Sequence, residues 1–566
     1  MSVPQLWTLR RRCPPQFIRR FPNLNPLLAQ VLYARGIDTP SKVDAFLNVP
    51  KTLTNPFQMT GMNEAVSRLQ QALEQEEEIV VYGDYDVDGV SATALLVSAL
   101  RDLGGKAKAY IPDRFSESYG LNKAALKKLH GEGANLLVTV DCGIRSTEEA
   151  AYASSLGLNM IITDHHSVPQ EIPPAVAVLD PKRPDCYYDF KALAGVGVAY
   201  QLVQALAEAQ QVRGLPAIAP EQFLDLVALG TVADIVPLRG ENRSLAYWGL
   251  QRMRESPRLG LLKLMNKADV QPEQVNGEAI GFRLGPRINA AGRLKHAELA
   301  YRLLMTESEE EAEELADQLH RINQERQQLL DRQCQRAQEL LDGREDGSAL
   351  IVDDPSFHEG IVGLIASRLT ETFYRPSLVM RTGKKIARGS ARSIEGFHIT
   401  RALDHCADLL SRYGGHAAAA GFSLATENLP AFRDRLRRYS VEHMEKETFQ
   451  RRIRVDAIVP ITDLDENTPH LLDRMAPFGE GNPPPSLAST ELDLLSLRPV
   501  GSGDRHLRLT VGDGSHSLSA IAFRQGHLAN TLNRGDRVDI VYTPSLNTYR
   551  GRTSLQLVVR AIRKSS

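Results

Sequence analysis

The chain has 566 residues, 42% of them hydrophobic and 24% charged, with a net charge of −2. That length exceeds what one core organises, so about three or four globular domains are expected. No apolar run approaches the roughly 20 residues that span a bilayer, and the near-neutral total excludes a uniformly basic nucleic-acid coat while leaving room for a local basic channel.

Residues 1–75 read as a helical, loop-rich unit broken at Pro14-Pro15, Pro22, Pro26 and Pro40. Its start is basic, with Arg10, Arg11, Arg12, Arg19 and Arg20 before the first acid, Asp38; this suits a surface facing a polyanion, and also a transit segment. From Glu78 to about Gly240, strand-like runs (Ile79–Tyr82, Ala107–Ile111, Asn135–Val140, Leu158–Ile162, Val176–Leu179) alternate with helical patterns. That alternation predicts an α/β domain with a parallel sheet covered on both faces.

The run Ile79-Val80-Val81-Tyr82-Gly83 ends in Asp84, Asp86 and Asp88 at every second position, then Gly89 and a helix-forming segment. Parallel sheets present functional groups at the carboxyl ends of their strands. Carboxylates this close repel one another unless a cation sits among them. A calcium EF-hand does not fit, because its twelfth position is Leu95 and a strand, not a helix, precedes the loop. Further acids and imidazoles close other apolar runs: Asp141 after Leu136–Val140, Asp164-His165-His166 after Met160–Thr163, and Asp234 after Phe223–Val232. Singly each is a cap or turn residue. Together, read as strand ends, they predict one pocket holding Asp84, Asp86, Asp88, Asp141, His165 and Asp234. An Asp-rich set with one or two His suits two divalent ions, Mn²⁺ or Mg²⁺, rather than structural zinc. Such a pair, about 3.5–4 Å apart, activates a water and clamps an in-line phosphoryl displacement.

Asp86-Val87-Asp88, Asp141, Asp164-His165-His166 and Asp234 resemble, in order and context, the motifs of the DHH phosphoesterase superfamily. Longer runs narrow the likeness to its single-stranded-DNA-specific exonucleases: Tyr82 to Gly89, Ile111 to Phe115, Tyr119 to Asn122, Thr139 to Gly143, Leu193 to Ala199 and Gly230 to Leu238. The resemblance implies Asp86, Asp88, Asp141, His165 and Asp234 as metal ligands, with Asp84 a further ligand or close neighbour. Many members carry a His where this chain has Tyr82, and Asp84 is the candidate substitute. Asp164 is expected to orient its neighbours, and His166 to face the scissile phosphate or leaving oxygen. Ser118 departs from an expected Gly.

Gly281 to Leu294 combines glycine-flanked arginines with Asn289, which suits phosphate oxygens; the resemblance implies substrate binding by Arg287, Asn289 and Arg293. Thr306 to about Asp342 reads as one long helix opened by a capping box, Thr306-Glu307-Ser308-Glu309. A second α/β lobe starts at Ala349–Val352. Within it, Arg381, Lys384, Lys385, Arg388, Arg392 and Arg401 face a single acid, Glu395, over residues 381–401, a local bias suited to a polyanion. Gly414 to Gly421 resembles a DHHA1 signature, and His358, Arg368, Ser390, Arg392 and His416 are expected at the cleft between lobes. From about Phe449 short strands (Ile453–Val459, Leu507–Val511, Leu518–Phe523, Val538–Tyr542, Leu555–Val559) predict an OB-like barrel. Arg505, Arg508, Arg524, Arg550 and Arg552 with Phe523, Tyr542 and Tyr549 suit a groove that follows a backbone and stacks bases.

The expected organisation is residues 1–75 N-terminal unit, 76–305 DHH domain, 306–345 connector helix, 346–445 DHHA1 domain and 446–566 barrel. The resemblance implies an enzyme that removes 5′ mononucleotides from single-stranded DNA in the 5′-to-3′ direction during repair and recombination. A helicase and a single-stranded-DNA-binding protein are the expected partners. The scattered Cys13, Cys142, Cys186, Cys334 and Cys406, odd in number and without metal-ligand spacing, point to reduced thiols in a cytoplasm. Two other readings are a phosphoesterase for short oligonucleotides or cyclic dinucleotides, and an inactive replication scaffold. The extra terminal units count against the first. The retained, mutually repelling acids count against the second.

Overall fold

Strand β1 (Glu78–Tyr82) lies inside an all-parallel sheet with β2 (Lys106–Tyr110), β3 (Leu136–Val140), β4 (Asn159–Thr163) and β5 (Ala177–Leu179), in the order β2-β1-β3-β4-β5. The five strands read from the sequence match these within one residue at each end. Both faces are covered. Ile79, Val81, Leu136, Val138 and Ile161 enter one core, while Val80, Tyr82, Leu137, Met160 and Ile162 enter another, which is why the strands are apolar throughout rather than alternating. The chain leaves β1 for one neighbour and returns on its other side, so β1 and β3 flank the point where strand order reverses. A crevice forms there, outside the carboxyl ends.

The computed structural model describes residues 5–117, 120–341, 349–444, 450–549 and 551–565, in two units. The first runs from Thr52 to Arg451; the second joins residues 5–51 to residues 452–566. Ser118 and Tyr119 lie outside the described residues, as does Arg550.

In the first unit the long helix α5 (Glu309–Leu341), which follows α1 (Val87–Asp102), α2 (Gly195–Val212), α3 (Leu224–Ala233) and α4 (Gly285–Leu294), leads to a second sheet. There β6 (Leu350–Asp353), β7 (Ser377–Thr382), β8 (Ile386–Arg392), β9 (Leu410–Gly415) and β10 (Ala419–Ala425) order as β9-β10-β8-β7-β6, parallel only between β6 and β7. Helix α5 is capped two residues later than expected: Ser308 Oγ accepts the Glu311 N–H at 3.3 Å, and the Glu311 carboxylate accepts from Thr306. The run Phe223–Val232 is not a strand but helix α3. Leu226 to Thr231 are buried on every side, so no periodicity marks the segment, and its ten-residue length was the better guide.

The second unit holds a closed barrel of β11 (Leu487–Val500), β12 (His506–Gly512), β13 (Ser517–Ala522), β14 (Arg537–Tyr549) and β15 (Arg552–Lys564), ordered β11-β12-β13-β15-β14 and closed by β14 on β11. The expected OB-like barrel is present, with one strand reassigned. Ile453–Val459 supplies only the short pieces Arg451–Val455 and Ala457–Ile458, and the barrel strand is Leu487–Val500. Register shifts at Ser489/Leu492 and Leu494/Ser496 break its alternation, which hides it from a period-two reading.

The N-terminal segment is divided between units. Phe17, Leu28, Val31, Leu32 and Val43 share the core of Ala457, Leu472, Met475 and the barrel. Arg35 donates to both oxygens of Asp456, at 3.2 and 2.7 Å. Residues 52–75, by contrast, belong with the parallel sheet. Among the described residues no helix is long and apolar enough to cross a membrane.

Candidate metal centre

The acidic turn after β1 is held by its own helix. Asp86 caps α1, its Oδ1 accepting the Gly89 N–H at 3.1 Å. Asp88, the second residue of that helix, accepts from Gly195 N at 2.7 Å and Val196 N at 2.9 Å. Those amides open the 18-residue α2, so a helix N-terminus fixes both oxygens of one carboxylate. Asp141 follows β3 with a left-handed backbone, φ 60°, a conformation Asp tolerates better than most residues. Asp234 joins the group from the end of helix α3 rather than from a strand.

His165 is the informative member. Its Nδ1 lies 3.1 Å from Leu193 O, and a carbonyl only accepts, so Nδ1 carries the proton and Nε2 presents a lone pair. That lone pair lies 3.1 Å from Asp141 Oδ1, 3.7 Å from Asp234 Oδ2 and 3.9 Å from Asp88 Oδ2. His165 Nε2, Asp141 Oδ1 and Asp84 Oδ1 are buried without a hydrogen-bond partner. Acceptors facing acceptors out of water are destabilising; a shared cation converts the same geometry into coordination. Three overlapping donor sets result: Asp141 with His165 and His166, Asp88 with His165 and Asp234, and Asp84 with Asp86 and Asp141, each with atoms within 4.8 Å. The oxygen and imidazole donors fit hard divalent ions such as Mn²⁺ and Mg²⁺.

Electrostatics agree. Burial first, and then neighbouring carboxylates, push Asp84, Asp141 and Asp234 well above the usual range and Asp88 to about 7. Burial and the adjacent His166 hold His165 down to about 3, neutral at working pH. Asp164 goes the other way. Burial opposes its charge, yet hydrogen bonds from His166 and from Ile144 N bring it to about 2. Asp164 Oδ1 takes His166 Nδ1 at 2.7 Å and the backbone N–H of both His165 and His166, and Oδ2 takes Ile144 N at 2.9 Å. It is a strut for the His165-His166 backbone and for the His166 ring. Burial opposes the charge of His166, but the Asp164 hydrogen bond together with the charges of Asp164, Asp84 and Asp86 raises it.

Tyr82, at the place where many members of the superfamily carry a His, turns away. Its hydroxyl donates to Gly120 O at 3.0 Å, and it packs in the core beneath. Three glycines make the carboxylate arrangement possible. A Cβ on Gly89 would come within 2.7 Å of Asp84, one on Gly195 within 2.7 Å of Asp141, and one on Gly230 within 2.7 Å of Asp88 Oδ1 and 2.8 Å of Val196. Gly230→Ala is therefore expected to weaken Mn²⁺ binding about 10–100-fold, the range of lost ligand support, while overpacking costs about 1–3 kcal/mol. Calorimetric titration and thermal unfolding check both; unchanged affinity would show that Asp88 needs no such support.

The basic residues divide. Asn289 Oδ1 accepts Val87 N at 3.2 Å, and a Cβ on Gly292 would lie 2.5 Å from Tyr85 O, so α4 rests directly on the acidic turn. Arg293 donates to Gly360 O at 3.2 Å and gathers with Arg114, Arg326 and Arg392; burial and these like charges lower it to about 10. Arg392 is hydrogen bonded to Ser390 Oγ at 2.8 Å. His358 accepts Gly360 N and stacks edge-on to Phe115, 5.7 Å between rings. His416 sits in the field of His166, Lys182 and Arg145. Two expected residues are engaged by protein partners. Arg287 is spent on His320, Arg283 O and Lys267 O, and Arg368 pairs with Asp331 at 3.5 Å. Within the basic stretch 381–401, Arg381 and Arg388 both pair with Glu359, an acid outside the stretch. Sequence reading gave no role to Lys182, which donates to His165 O, or to Arg145, which donates to Ser167 O at 3.1 Å; neither stands in a patterned motif.

On the barrel, Arg508 lies opposite Arg498, Tyr549 is exposed opposite Arg552, and Arg505 and Arg524 are exposed near Phe523, whose ring meets His506 edge-on at 5.3 Å. Tyr542 is not a stacking residue. It is fully buried, its hydroxyl 2.8 Å from Ser489 Oγ.

Comparison with known proteins follows the same division. A model of the DHH family, N-terminal domain, matches residues 78–231; the DHHA1 domain matches residues 346–442, and the RecJ OB domain residues 455–561. The chain is 39% identical over 542 residues to the single-stranded-DNA-specific exonuclease RecJ of Bacillus subtilis, covering 95% of this chain and 68% of that one. To RecJ of Escherichia coli it is 34% identical over 578 residues, covering 97% and 98%. Its fold is similar to the crystal structure of RecJ in complex with Mn²⁺ from Thermus thermophilus, with a TM-score of 0.86 at 32% identity, covering 100% of this chain and 80% of that chain. The Mg²⁺ complex gives 0.79 at 30% identity, covering 99% and 78%. The chain belongs to the RecJ family of DHH-type single-stranded-DNA-specific exonucleases.

Proposed function

We propose that this protein is a single-stranded-DNA-specific exonuclease that works 5′ to 3′ and releases 5′ mononucleotides with two divalent ions. The observation that carries it is the unpartnered, buried set of His165 Nε2, Asp141 Oδ1 and Asp84 Oδ1, at the carboxyl ends of β1 and β3 and beside the arginine group of Arg114, Arg293, Arg326 and Arg392. Asp84, Asp86, Asp88, Asp141, His165 and Asp234 hold the ions. When bound, the ions lower the pKa of a water and neutralise charge on the phosphate and leaving oxygen. The protein's own residues do the rest. Asp164 holds the backbone of both histidines and takes up Nδ1 of His166, so proton exchange with the substrate falls to His166 Nε2; its raised pKa keeps a proton available for the leaving oxygen. Arg293 and Arg392 hold phosphate oxygens, with His358, Ser390 and His416 lining the approach. Arg505, Arg508, Arg524, Tyr549 and Arg552 on the barrel follow the strand by charge and stacking. The setting is the cytoplasm, in DNA repair and recombination, with a helicase to open duplex and a single-stranded-DNA-binding protein on the displaced strand.

The test is digestion of oligonucleotides labelled at either end, with and without Mn²⁺, from dinucleotides upward and with duplex competitors. Expected is Mn²⁺-dependent release of 5′ mononucleotides from long single strands. Hydrolysis confined to the shortest substrates would replace this reading with a small-substrate phosphoesterase.

A further inference from the structure

Ile235 follows Asp234 directly and has a left-handed backbone, φ 65°, a genuine outlier for a β-branched residue. A turn at that place needs only Gly or Asn. The chain instead keeps an aliphatic side chain 68% exposed, one residue from a carboxylate whose Oδ2 is 3.7 Å from His165 Nε2. A second irregularity lies beside it. Ile280–Leu284 forms a single π turn, a rare element that recurs at functional sites, and it leaves Phe282 80% exposed. The π turn packs against α3, the helix that delivers Asp234; a Cβ on Gly285, just after the turn, would lie 3.6 Å from Ala233 Cβ. Two departures from regular backbone, one next to Asp234 and one in a turn packed on the helix that delivers Asp234, thus each expose an apolar side chain.

Neither residue suits a phosphate. A nucleotide whose phosphate sits among the carboxylates carries its base within reach of the adjoining residues, since consecutive Cα atoms are only about 3.8 Å apart. Every base offers an apolar face regardless of sequence. We propose that Ile235 and Phe282 form an apolar lip that holds a base of the single strand entering the metal centre, so that the enzyme senses the base as well as the phosphate. This rests on the exonuclease reading and adds a specificity element to it: strands lacking bases at the 5′ end are poor substrates.

The experiment compares kcat and KM for two 3′-labelled oligonucleotides, one ordinary and one with stable abasic residues at its first two 5′ positions. Wild type is expected to favour the ordinary strand by about ten-fold in kcat/KM, a typical stacking contribution. Phe282→Ala and Ile235→Ala lower the ordinary strand towards the abasic one, chiefly through KM, and leave the abasic strand unchanged. Phe282→Ala should melt as wild type does, because its side chain is exposed. Ile235→Gly relieves the backbone and removes the side chain together; it behaves as the alanine variant if the lip is right. An Ile235→Gly enzyme with wild-type preference overturns the proposal, as does an undiminished preference in Phe282→Ala, the result expected if the patch docks a protein instead. Equal use of both strands by wild type overturns the lip while leaving the exonuclease standing. Hydrolysis of neither strand removes the exonuclease reading and the lip with it.

Discussion

Asp141→Asn is expected to reduce Mn²⁺-dependent hydrolysis of single-stranded DNA about 10³-fold or more, and at the same time to raise the melting temperature of the metal-free protein. The two effects have one cause. Asp141 belongs to two of the three donor sets, and its Oδ1 faces the His165 lone pair at 3.1 Å. Once these acids are ionised, an amide in its place removes one negative charge from a buried group of four raised carboxylates, and its NH₂ donates to His165 Nε2 where two acceptors had faced each other. One repaired buried hydrogen bond and the relieved repulsion amount to about 1–3 kcal/mol. Losing about 4 kcal/mol of differential charge stabilisation at the reacting phosphate accounts for the activity, at 1.36 kcal/mol per factor of ten. Asn also accepts φ 60°, so the backbone is not disturbed. Asp141→Ala is the contrast: it strains that backbone, leaves Nε2 unpartnered, and should be inactive without the gain in stability. Melting curves in EDTA and single-turnover hydrolysis decide the matter. An Asn variant that is active within ten-fold of wild type, or less stable than wild type without metal, would show that Asp141 is not a shared ligand.

Much of this centre was legible in the sequence for a physical reason. A buried parallel strand is an unbroken apolar run, and an acid at its end has no business in the core unless something pairs with it; Asp84, Asp86, Asp88, Asp141 and Asp164 all announce themselves this way. Asp234 lies beside His165 and Asp88, but the run before it is a helix buried on all sides and not a strand. What the sequence did not carry was direction. Arg287 and Arg293 stand six residues apart on the same helix with similar glycine-rich surroundings, yet one faces α5 and the other the arginine group. Tyr542 and Tyr549 lie on one strand, and a seven-residue spacing puts them on opposite faces of a two-residue repeat, one in the barrel core and one exposed. The association of residues 5–51 with the barrel rests on contacts such as Arg35 with Asp456, 421 residues apart, and no local pattern records a contact of that span. The longest barrel strand was missed because its bulges cancel the alternation that would have marked it.

In EDTA the melting temperature is expected to fall as the pH rises from about 6.5 to 8.5, and saturating Mn²⁺ to remove that fall. Asp84, Asp141 and Asp234 sit well above the ordinary carboxylate range in the folded chain, and Asp88 near 7, against about 3.9 when unfolded. A group whose folded pKa is raised contributes stability that is complete below its unfolded value and is lost as the pH climbs through its folded one. His165 opposes this at lower pH. It is depressed to about 3 when folded, so its contribution grows up to about 6.5, where the unfolded imidazole has lost its proton. Below that pH the two trends partly cancel; above it only the carboxylates and the raised His166 remain, and all act downward. Each carboxylate still titrating can remove at most about 1.4 kcal/mol per pH unit, so with water entering the emptied site a fall of about 5 °C is a fair expectation. Mn²⁺ requires deprotonated ligands, and its affinity therefore rises over the same interval, with about 2.7 kcal/mol of stabilisation at a hundredfold excess over Kd. Scanning the protein at half-unit steps in EDTA and in Mn²⁺, with Asp234→Asn to take one acid out of the group, gives three slopes. If the slopes in EDTA and Mn²⁺ coincide, the carboxylates are not what the ions neutralise; if Asp234→Asn flattens the EDTA slope, the repulsion has been traced to the residue that helix α3 brings in.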